Sequence, residues 1–383
     1  MNKKIKIAYC IPSLYYPSGM ERVLTLKANF FTENLGYDIH IILTDGKEKQ
    51  PYYKLHPSIT VHQLDINYDE MYGLPLYKRI WGYQRKQRLF KKRLSKCLLN
   101  IRPDITISLL RRDINFINKM KDGSIKLGEI HFNKSNYREF NDNCLPTFLQ
   151  QVIKQYWMNQ LIRQLRKLKC FIVLSHEDAA EWTELNNVTV IHNPLPFFPD
   201  QQSDVSQKQV IAVGRYMKQK GFDLLIPAWQ IVNERHPDWL LRIYGEGMRE
   251  QLQQQINSLN ISSSCILEHN VANIIEKYCE SSIFALSSRF EGFGMVIIEA
   301  MVCGVPPIAF ACPCGPRDII HDNEDGLLVE NGNINQLAEK ICYLIENDAV
   351  RKEMGKMARI NSQRFKIDNI CKEWEKLFNQ LLK

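Results

Sequence analysis

The chain alternates between short apolar runs and longer segments in which apolar residues recur every three or four positions. Short apolar runs indicate buried strands, and the longer period indicates helices packed on them. This alternation predicts parallel sheets covered by helices. In the first half it predicts a helix over Glu21–Asn34 and six strands, at Ile5–Ile11, Ile39–Leu43, Ile105–Leu109, Ile125–His131, Phe171–Leu174 and Val188–Ile191.

The alternation stops at a linker and then restarts. Three prolines lie within residues 194–199, and a polar stretch follows up to Gln209. Further strands are predicted at Val210–Val213, Leu240–Tyr244, Ile266–Glu268, Ile283–Leu286, Pro307–Ala311 and Gly326–Val329. Because 383 residues exceed one ordinary core, we predict an N-terminal domain over 1–195, a second domain over 196–364 and a closing helix within 365–383. The predicted fold class is α/β, with two doubly wound, Rossmann-like domains facing a ligand cleft.

Composition narrows the class of protein. With 45% hydrophobic and 24% charged residues, the chain is typical of soluble globular proteins, and no run approaches the roughly 18 apolar residues of a membrane span. The segment Met1–Pro12 resembles a first strand more than a secretion signal, so we expect a cytoplasmic location. Eleven scattered cysteines without a Cys-x-x-Cys pair fit a reducing compartment and predict no structural metal.

The net charge of +8 is concentrated in one segment, Lys78–Lys96, which holds nine basic residues and no acid. Apolar residues recur through it at helical spacing, at Leu76, Ile80, Tyr83, Phe90, Leu94, Leu98 and Ile101. A basic amphipathic helix with aromatic residues predicts binding to an anionic membrane surface. The candidate contact residues are Lys78, Trp81, Arg85, Lys86, Phe90, Lys91, Lys92 and Arg93. An ordinary surface helix with a core-facing stripe remains the alternative, and nucleic acid is disfavoured because no recognised binding motif is present.

Three loops that follow predicted strands carry candidate ligand residues. Gly19 opens a helix after the first strand, where a glycine permits close approach of a phosphate. In the loop after Val213, Arg215 and Lys220 could both turn toward one anion and stabilise a leaving diphosphate. Gly245 lies in Tyr244–Gly247, which lacks the third glycine of a dinucleotide fingerprint. That loop therefore suits a platform for a nucleotide base better than a redox site.

Two carboxylates, Glu291 and Glu299, flank a Gly-x-Gly loop and the start of a predicted helix. The free N–H groups at the start of that helix, which is predicted from Met295, would face the loop and form an anion site. The two acids could then hold both ends of a sugar-nucleotide. An acid that favours the helix dipole plus a solvated glutamate would produce the same spacing, so spacing alone does not decide.

His131 ends a predicted strand, where α/β proteins build active sites, and its imidazole could donate a hydrogen bond or share a proton near neutral pH. A lone histidine is more often structural. No Asp-x-Asp pair occurs in the chain, so a diphosphate would be neutralised by cations and helix N-termini, and divalent metal should be dispensable.

Four motifs in register carry a resemblance to a known family. They are Val213-Gly214-Arg215 with Lys220-Gly221, then Tyr244-Gly245-Glu246-Gly247, then Ser288–Gly294 with Glu299-Ala300-Met301 and Gly304-Val305-Pro306, and finally Ala358 to Trp374. Together they resemble the family 4 retaining glycosyltransferases, which share the GT-B fold. Cys312–Asp318 resembles a subgroup that uses UDP-hexoses on bacterial surface polymers and lipids. Ser18 stands where the family often has a glycine.

The resemblance implies a role for each matching residue. Glu291 would hold hydroxyls of the donor sugar, and Phe293, Gly294 and Met295 would place N–H groups near the sugar and diphosphate. Glu299 would bind the ribose. The remaining implied contacts are Arg215, Lys220 and the Gly19 backbone with the diphosphate, Gly245 with the nucleoside and His131 with the donor sugar near the reacting carbon.

The resulting hypothesis is a metal-independent, retaining transferase that moves galactose or glucose from a UDP-sugar to a lipid or lipid-linked glycan acceptor, forming an alpha-glycosidic bond on the inner face of a membrane. It needs no cofactor, because the UDP-sugar is a co-substrate, and it does not involve nucleic acid. Two rival hypotheses are a sugar-nucleotide epimerase or phosphorylase on the same fold, and a non-enzymatic module that binds membrane or nucleic acid through Lys78–Lys96.

Overall fold

The computed structural model describes residues 4–46, 48–71, 73, 75–135 and 147–383. The chain divides into two compact units. The first contains Met1–Leu174, Ala179–Pro194 and Ile367–Lys383, and the second contains Ser175–Asp178 and Leu195–Lys366. Each unit is built on one parallel sheet with helices around it, so the prediction of two doubly wound, Rossmann-like α/β domains is confirmed.

The first unit holds a seven-stranded sheet among its described residues. Its strands are β1 (Lys6–Ile11), β2 (Asp38–Leu43), β3 (Thr60–Gln63), β4 (Ile105–Ser108), β5 (Ile125–Glu129), β6 (Cys170–Val173) and β7 (Val188–Val190), in the order β3-β2-β1-β4-β5-β6-β7. Its helices are α1 (Gly19–Glu33), α2 (Leu76–Ile101), α3 (Thr147–Leu165) and α4 (His176–Glu181), whose first residues belong to the second unit.

The second unit holds a six-stranded sheet. Its strands are β8 (Gln209–Val213), β9 (Leu240–Tyr244), β10 (Cys265–Glu268), β11 (Ile283–Leu286), β12 (Pro307–Phe310) and β13 (Leu327–Val329), in the order β10-β9-β8-β11-β12-β13. Its helices are α5 (Phe222–Arg235), α6 (Arg249–Ser258), α7 (Ile274–Cys279), α8 (Met295–Val302), α9 (Pro316–Ile319), α10 (Ile334–Glu346) and α11 (Asp348–Asn361).

Strand order reverses once in each sheet, between β1 and β4 in the first unit and between β8 and β11 in the second. At such a switch point the two following loops diverge to opposite faces and leave a crevice beyond the carboxyl ends of the strands, where ligands of open α/β sheets bind. The fold therefore selects the loops after β1, β4, β8 and β11 as candidate ligand loops.

The core of the first unit lies on both faces of its sheet. Along β1, Ala8 and Cys10 face one apolar cluster, whereas Ile7 and Tyr9 face the other, as expected because successive strand side chains point to opposite faces. The sequence did not predict β3 or α3. β3 is an edge strand with mostly exposed side chains, and α3 buries apolar residues only near its C-terminal end, so neither has a strong apolar period.

The last helix, α12 (Ile367–Leu381), belongs to the first unit although the second unit precedes it in the chain. Its apolar face enters the cluster on the Ile7 side of the first sheet, with Trp374 and Phe378 fully buried. The Phe378 ring lies 5.7 Å from the ring of Phe31 on α1, centroid to centroid. Among the described residues, no helix is both long enough and apolar enough to cross a bilayer.

Because Phe378 is fully buried, Phe378→Ala should lower the free energy of unfolding of the first unit by about 3–5 kcal/mol through lost burial and a residual cavity. Urea unfolding followed by circular dichroism measures this loss. Leu382→Ala, at a side chain that is 38% exposed, is the control and should change stability by no more than about 0.5 kcal/mol. Equal effects of the two changes would contradict the docking of α12.

Candidate functional site

Glu291 and Lys220 form an ion pair beyond the switch point of the second sheet. Lys220 follows β8 and Glu291 follows β11, and their Nζ and Oε1 atoms lie 2.7 Å apart. Ser288 donates its hydroxyl to the same carboxylate oxygen at 2.6 Å. The side chains are only 15% and 7% exposed, so the two charges interact where water screens them weakly. Two predicted site residues are therefore brought together.

A second ion pair holds the two loops against each other. Arg289 donates two hydrogen bonds of 2.7 Å to the carboxylate of Asp223, which is in the first turn of α5. This contact raises the pKa of Arg289 and lowers the pKa of Asp223. Asp223 was not predicted from the sequence. The signal that could have found it is an acid in the first turn of a helix, two residues after Gly221.

The glycine before α5 is required by close backbone packing. Gly221 has φ +65°, and a Cβ there would lie 1.9 Å from the carbonyl oxygen of Ser287. Only a residue without a side chain permits this approach of the two loops. Arg215, in contrast, is exposed on its loop. The structure thus fixes Lys220 next to Glu291 and leaves Arg215 at the surface.

The Cys312–Asp318 loop supports the Glu291 loop from behind. The backbone N–H of Glu291 donates to the Pro313 carbonyl at 3.1 Å. A Cβ on Gly315, which has φ +131°, would lie 1.9 Å from the carbonyl oxygen of Phe293. The side chain of Phe293 is buried and contacts the ring of Phe365. These contacts of the Cys312–Asp318 loop therefore hold the residues that precede α8 in place.

Helix α8 begins at Met295, directly after Gly294, whose φ of +96° lies in the left-handed region. The first N–H groups of a helix have no partner one turn earlier in the same helix, which favours an anion there, although the N–H of Ile297 already donates to the Gly294 carbonyl at 2.9 Å. One turn further on, Glu299 is 5% exposed, and the Tyr278 hydroxyl lies 3.3 Å from its Oε2 atom. The contact from Tyr278 orients the carboxylate that was predicted to bind ribose.

Gly245 has a structural reason to be glycine. A Cβ at this position would lie 2.0 Å from the carbonyl oxygen of Gly214. The N–H of Gly214 in turn donates to the Tyr244 carbonyl at 3.0 Å, and Tyr216 donates its N–H to Glu246 at 2.7 Å. Backbone hydrogen bonds thus join the loops after β8 and β9. Their close packing accounts for a glycine at position 245 without a ligand. A contact of Gly245 with a nucleoside stays a prediction.

Gly19 is the first residue of α1, and a Cβ there would meet no atom within 4 Å. Its glycine is therefore not required by packing, unlike Gly245. Two residues later, Glu21 is buried and accepts hydrogen bonds from Ser13 (3.0 Å) and from the N–H of Tyr16 (2.8 Å). Burial outweighs these contacts and raises the pKa of the Glu21 carboxyl to about 7.

His131 stands at the end of a buried charge network in the first unit. Its Nε2 atom lies 3.0 Å from Oε1 of Glu129, and the same oxygen forms an ion pair with Nζ of Lys27. Lys27 lies under the ring of Trp374 on α12, at 4.3 Å from the centroid. Burial alone would raise the pKa of Glu129, but the charges of Lys27 and His131 outweigh it and lower that pKa to about 2. The carboxylate therefore stays ionised and orients the imidazole.

Sequence analysis missed Lys27 and Glu129, each with a side chain that is 1% exposed. A signal existed: Lys27 lies between Leu24 and Phe31 on the apolar face of α1, and Glu129 ends an apolar strand. A buried lysine in a helix and a buried acid in a strand suggest a pair, because charges are rarely buried unless paired.

The structure corrects part of the predicted membrane surface. Phe90 is 2% exposed and packs in the core of the first unit, so its assignment to the membrane is wrong. Lys86 donates to the carbonyls of Ile66 and Asn67 at 2.6 Å each. Arg93 donates to the Asp65 carbonyl at 2.9 Å, so both side chains form hydrogen bonds within the first unit. The exposed predicted residues are Lys78, Trp81, Arg85, Lys91, Lys92 and Arg93. The side chains of Leu76 and Ile80 lie outside the described part.

Comparisons with known proteins find similar chains and a similar fold. Residues 196–361 match the family model described as "Glycosyl transferases group 1". A Haemophilus influenzae protein described as an uncharacterized glycosyltransferase is 27% identical and aligns with 97% of this chain and 99% of its own length. A Campylobacter jejuni protein named "GalNAc-alpha-(1->4)-GalNAc-alpha-(1->3)-diNAcBac-PP-undecaprenol alpha-1,4-N-acetyl-D-galactosaminyltransferase" is 25% identical over 98% of this chain and 99% of its own. The solved structure of Anabaena HepE in complex with UDP and glucose is similar in fold, with a TM-score of 0.71, 18% identity and coverage of 98% of this chain and 100% of that chain.

Glu129→Gln should lower the free energy of unfolding by about 3–5 kcal/mol at neutral pH, because it leaves the buried charge of Lys27 without its ionised partner. Lys208→Gln, which removes an exposed ion pair with Asp238, is the control and should change stability by less than about 1 kcal/mol.

The pH dependence of that difference follows from the lowered pKa. Ionised Glu129 stabilises the folded state above its ordinary pKa of 4.5, and this contribution is lost as the pH falls toward about 2. The difference between wild type and Glu129→Gln should therefore shrink between pH 4.5 and 2, as measured by chemical unfolding at each pH. A difference that stays constant or widens there would contradict an ionised Glu129.

Proposed function

We propose that this chain, whose residues 196–361 match the group 1 glycosyltransferase model, transfers galactose or glucose from a UDP-sugar to a lipid or lipid-linked acceptor, with retention of the anomeric configuration. One observation carries the proposal: beyond the switch point of the second sheet, Lys220 and Glu291 lie side by side with side chains 15% and 7% exposed, and the Glu291 loop leads into the N-terminus of α8. That arrangement suits a ligand with an anionic half and a hydroxyl-rich half, which is the chemistry of a nucleotide-sugar.

The anionic half of the donor is assigned to Lys220 and the N-terminus of α8, with Arg215 turning in from the surface. An ammonium and oriented N–H groups stabilise the charge that develops on the departing diphosphate, and they are already in place before the bond breaks. Phe293, Gly294 and Met295 supply backbone N–H groups near this charge. UDP in the similar HepE structure supports a uridine diphosphate donor.

The hydroxyl-rich half is assigned to the two glutamates. The Glu291 carboxylate accepts hydrogen bonds from hydroxyls of the hexose, and the Glu299 carboxylate accepts them from the ribose. Gly245 lets backbone approach the nucleoside. The contacts of His131 with the donor sugar and of Gly19 with the diphosphate stay predictions from the family resemblance. A polar site that pairs with sugar hydroxyls discriminates strongly against ligands that lack them.

The chemistry proposed is a front-side displacement. The bond between the anomeric carbon and the phosphate oxygen breaks, and the acceptor oxygen bonds to the same face of that carbon. The acceptor proton passes to the phosphate oxygen that has left, so the products are the alpha-glycoside and UDP. No side chain forms a covalent intermediate, and the protein contributes orientation and electrostatic stabilisation.

The acceptor is assigned to the membrane surface. The name of the C. jejuni relative, which aligns over nearly its full length, includes a diphospho-undecaprenol glycan. In this chain the exposed cations of α2, with Trp81 80% exposed among them, suit an anionic leaflet. Such an enzyme acts on the inner face of the membrane as a peripheral protein.

Glu291→Gln should reduce kcat/KM for UDP-hexose by about 100-fold or more, because the amide cannot replace an ionised acceptor of hydroxyl hydrogen bonds. Released UDP, measured with UDP-glucose and UDP-galactose and a membrane lipid extract, reports the activity. Glu353→Gln changes an exposed surface acid of the same unit and is the matched control. Full activity of Glu291→Gln would contradict the site, and turnover of the donor without lipid would favour an epimerase or phosphorylase.

Activity should be unchanged by EDTA, within about twofold, since Lys220, Arg215 and the N-terminus of α8 supply the positive charge that a metal ion would otherwise bring. The same UDP-release assay with EDTA, and with EDTA followed by excess Mg²⁺, measures this. Loss of turnover in EDTA that Mg²⁺ restores would contradict metal independence.

A further inference from the structure

Helix α3 carries a stripe of exposed apolar side chains. Phe148, Val152 and Tyr156 are spaced four residues apart and are 64%, 61% and 60% exposed, and Leu149 beside them is 37% exposed. Residues four apart lie on one face of a helix, so these side chains form one continuous patch. Single exposed apolar residues are ordinary, but a contiguous patch of them marks an interaction site.

The other end of α3 fixes the stripe in place. Leu161, Ile162 and Leu165 are buried in the apolar cluster that α2 also joins. Asn118 donates its amide to the Gln164 carbonyl at 3.0 Å, which ties this end to the segment after β4. The C-terminal turns of α3 therefore anchor the helix to the first unit, and the stripe lies on the N-terminal half of the same helix.

The charges along α3 and in the turn that follows it have one sign. Residues 147–169 contain five basic residues and no acid, and all five are exposed: Lys154, Arg163, Arg166, Lys167 and Lys169. Together with the basic α2, this gives the first unit two helices on which exposed cations accompany exposed apolar groups. Such a combination binds anionic bilayers, because the apolar side chains enter the interface and the cations attract the headgroups.

We propose that the α3 surface, defined as Phe148, Leu149, Val152 and Tyr156 with Lys154 among them and the four cations that follow, Arg163, Arg166, Lys167 and Lys169, docks the protein onto an anionic lipid bilayer. The proposal deepens the proposed function, since it names the surface by which the enzyme reaches a membrane-borne acceptor. It also changes the role of α2. The apolar stripe of α2 is buried from Phe90 onward, so α2 supplies cations and Trp81, and α3 supplies the inserted side chains.

Two other occupants fit the chemistry less well. A second copy of the chain placed face to face would bring the five cations of each copy together, and like charges in contact oppose association. Single-stranded nucleic acid stacks on aromatic faces, but Val152 and Leu149 have no ring on which a base could stack. A bilayer interface accommodates aliphatic and aromatic side chains alike.

The test is flotation of the full chain with vesicles of phosphatidylcholine, alone or mixed with phosphatidylglycerol. The wild type should float with the mixed vesicles and much less with phosphatidylcholine alone. Phe148→Ser, Val152→Ser and Tyr156→Ser combined should weaken binding by about tenfold or more, because three apolar side chains no longer enter the interface. Tyr343→Ser and Ile360→Ser combined, at side chains 42% and 47% exposed on the second unit, should leave binding unchanged.

Thermal unfolding of both combined variants verifies that they fold, and because the exchanged side chains are exposed, both should melt with the wild type. A second variant, Lys154→Gln with Arg163→Gln, tests the charge and should lose binding only to the anionic vesicles. Unchanged flotation of the serine variant would overturn the proposal. The proposal would also be overturned if the serine variant lost self-association or nucleic-acid binding and still bound the vesicles. Vesicle binding without UDP release would leave the α3 surface standing and overturn only the proposed function.

Discussion

The Lys220–Glu291 ion pair is the interaction on which the second unit is organised. Its members come from loops that diverge at the switch point, and they meet because Gly221 allows backbone contact with Ser287 and because Arg289 clasps Asp223. Each charge satisfies the other. In the proposed function a diphosphate takes over the lysine and a sugar hydroxyl takes over the glutamate, so much of the desolvation of the two charges precedes binding of the donor.

The first unit uses buried charge for a different purpose. Lys27 and Glu129 are both enclosed, and replacing one partner would leave the other charge uncompensated. The network reaches from Trp374 on the last helix to His131 after β5, so docking of α12 and orientation of the imidazole depend on the same ion pair. Trp374 on the last helix therefore helps to position His131, which lies about 240 residues earlier in the chain, through Lys27 and Glu129.

Much of the fold was predictable because buried parallel strands are nearly continuous apolar runs. Gly292, Gly294 and Gly304 mark the loops between β11, α8 and β12. The edge strand β3 was not predictable, since most of its side chains are exposed. The pairing of Lys220 with Glu291 joins positions 71 residues apart and was not predicted, because neither apolar periodicity nor motif spacing specifies a contact between two distant loops. Phe90 was assigned to the wrong environment because helical periodicity identifies an apolar face and does not say whether core or lipid covers it.

The central claim is that Lys220 binds the diphosphate and Glu291 binds the sugar, and calorimetric titration with UDP and with UDP-hexose tests it most directly. Lys220→Met should weaken binding of both ligands to a similar extent. Glu291→Gln should bind UDP at least as tightly as the wild type, because the lysine is released, while the advantage of UDP-hexose over UDP disappears. If Glu291→Gln weakened both ligands equally, or left the preference for UDP-hexose intact, the division of the donor between the two residues would be wrong.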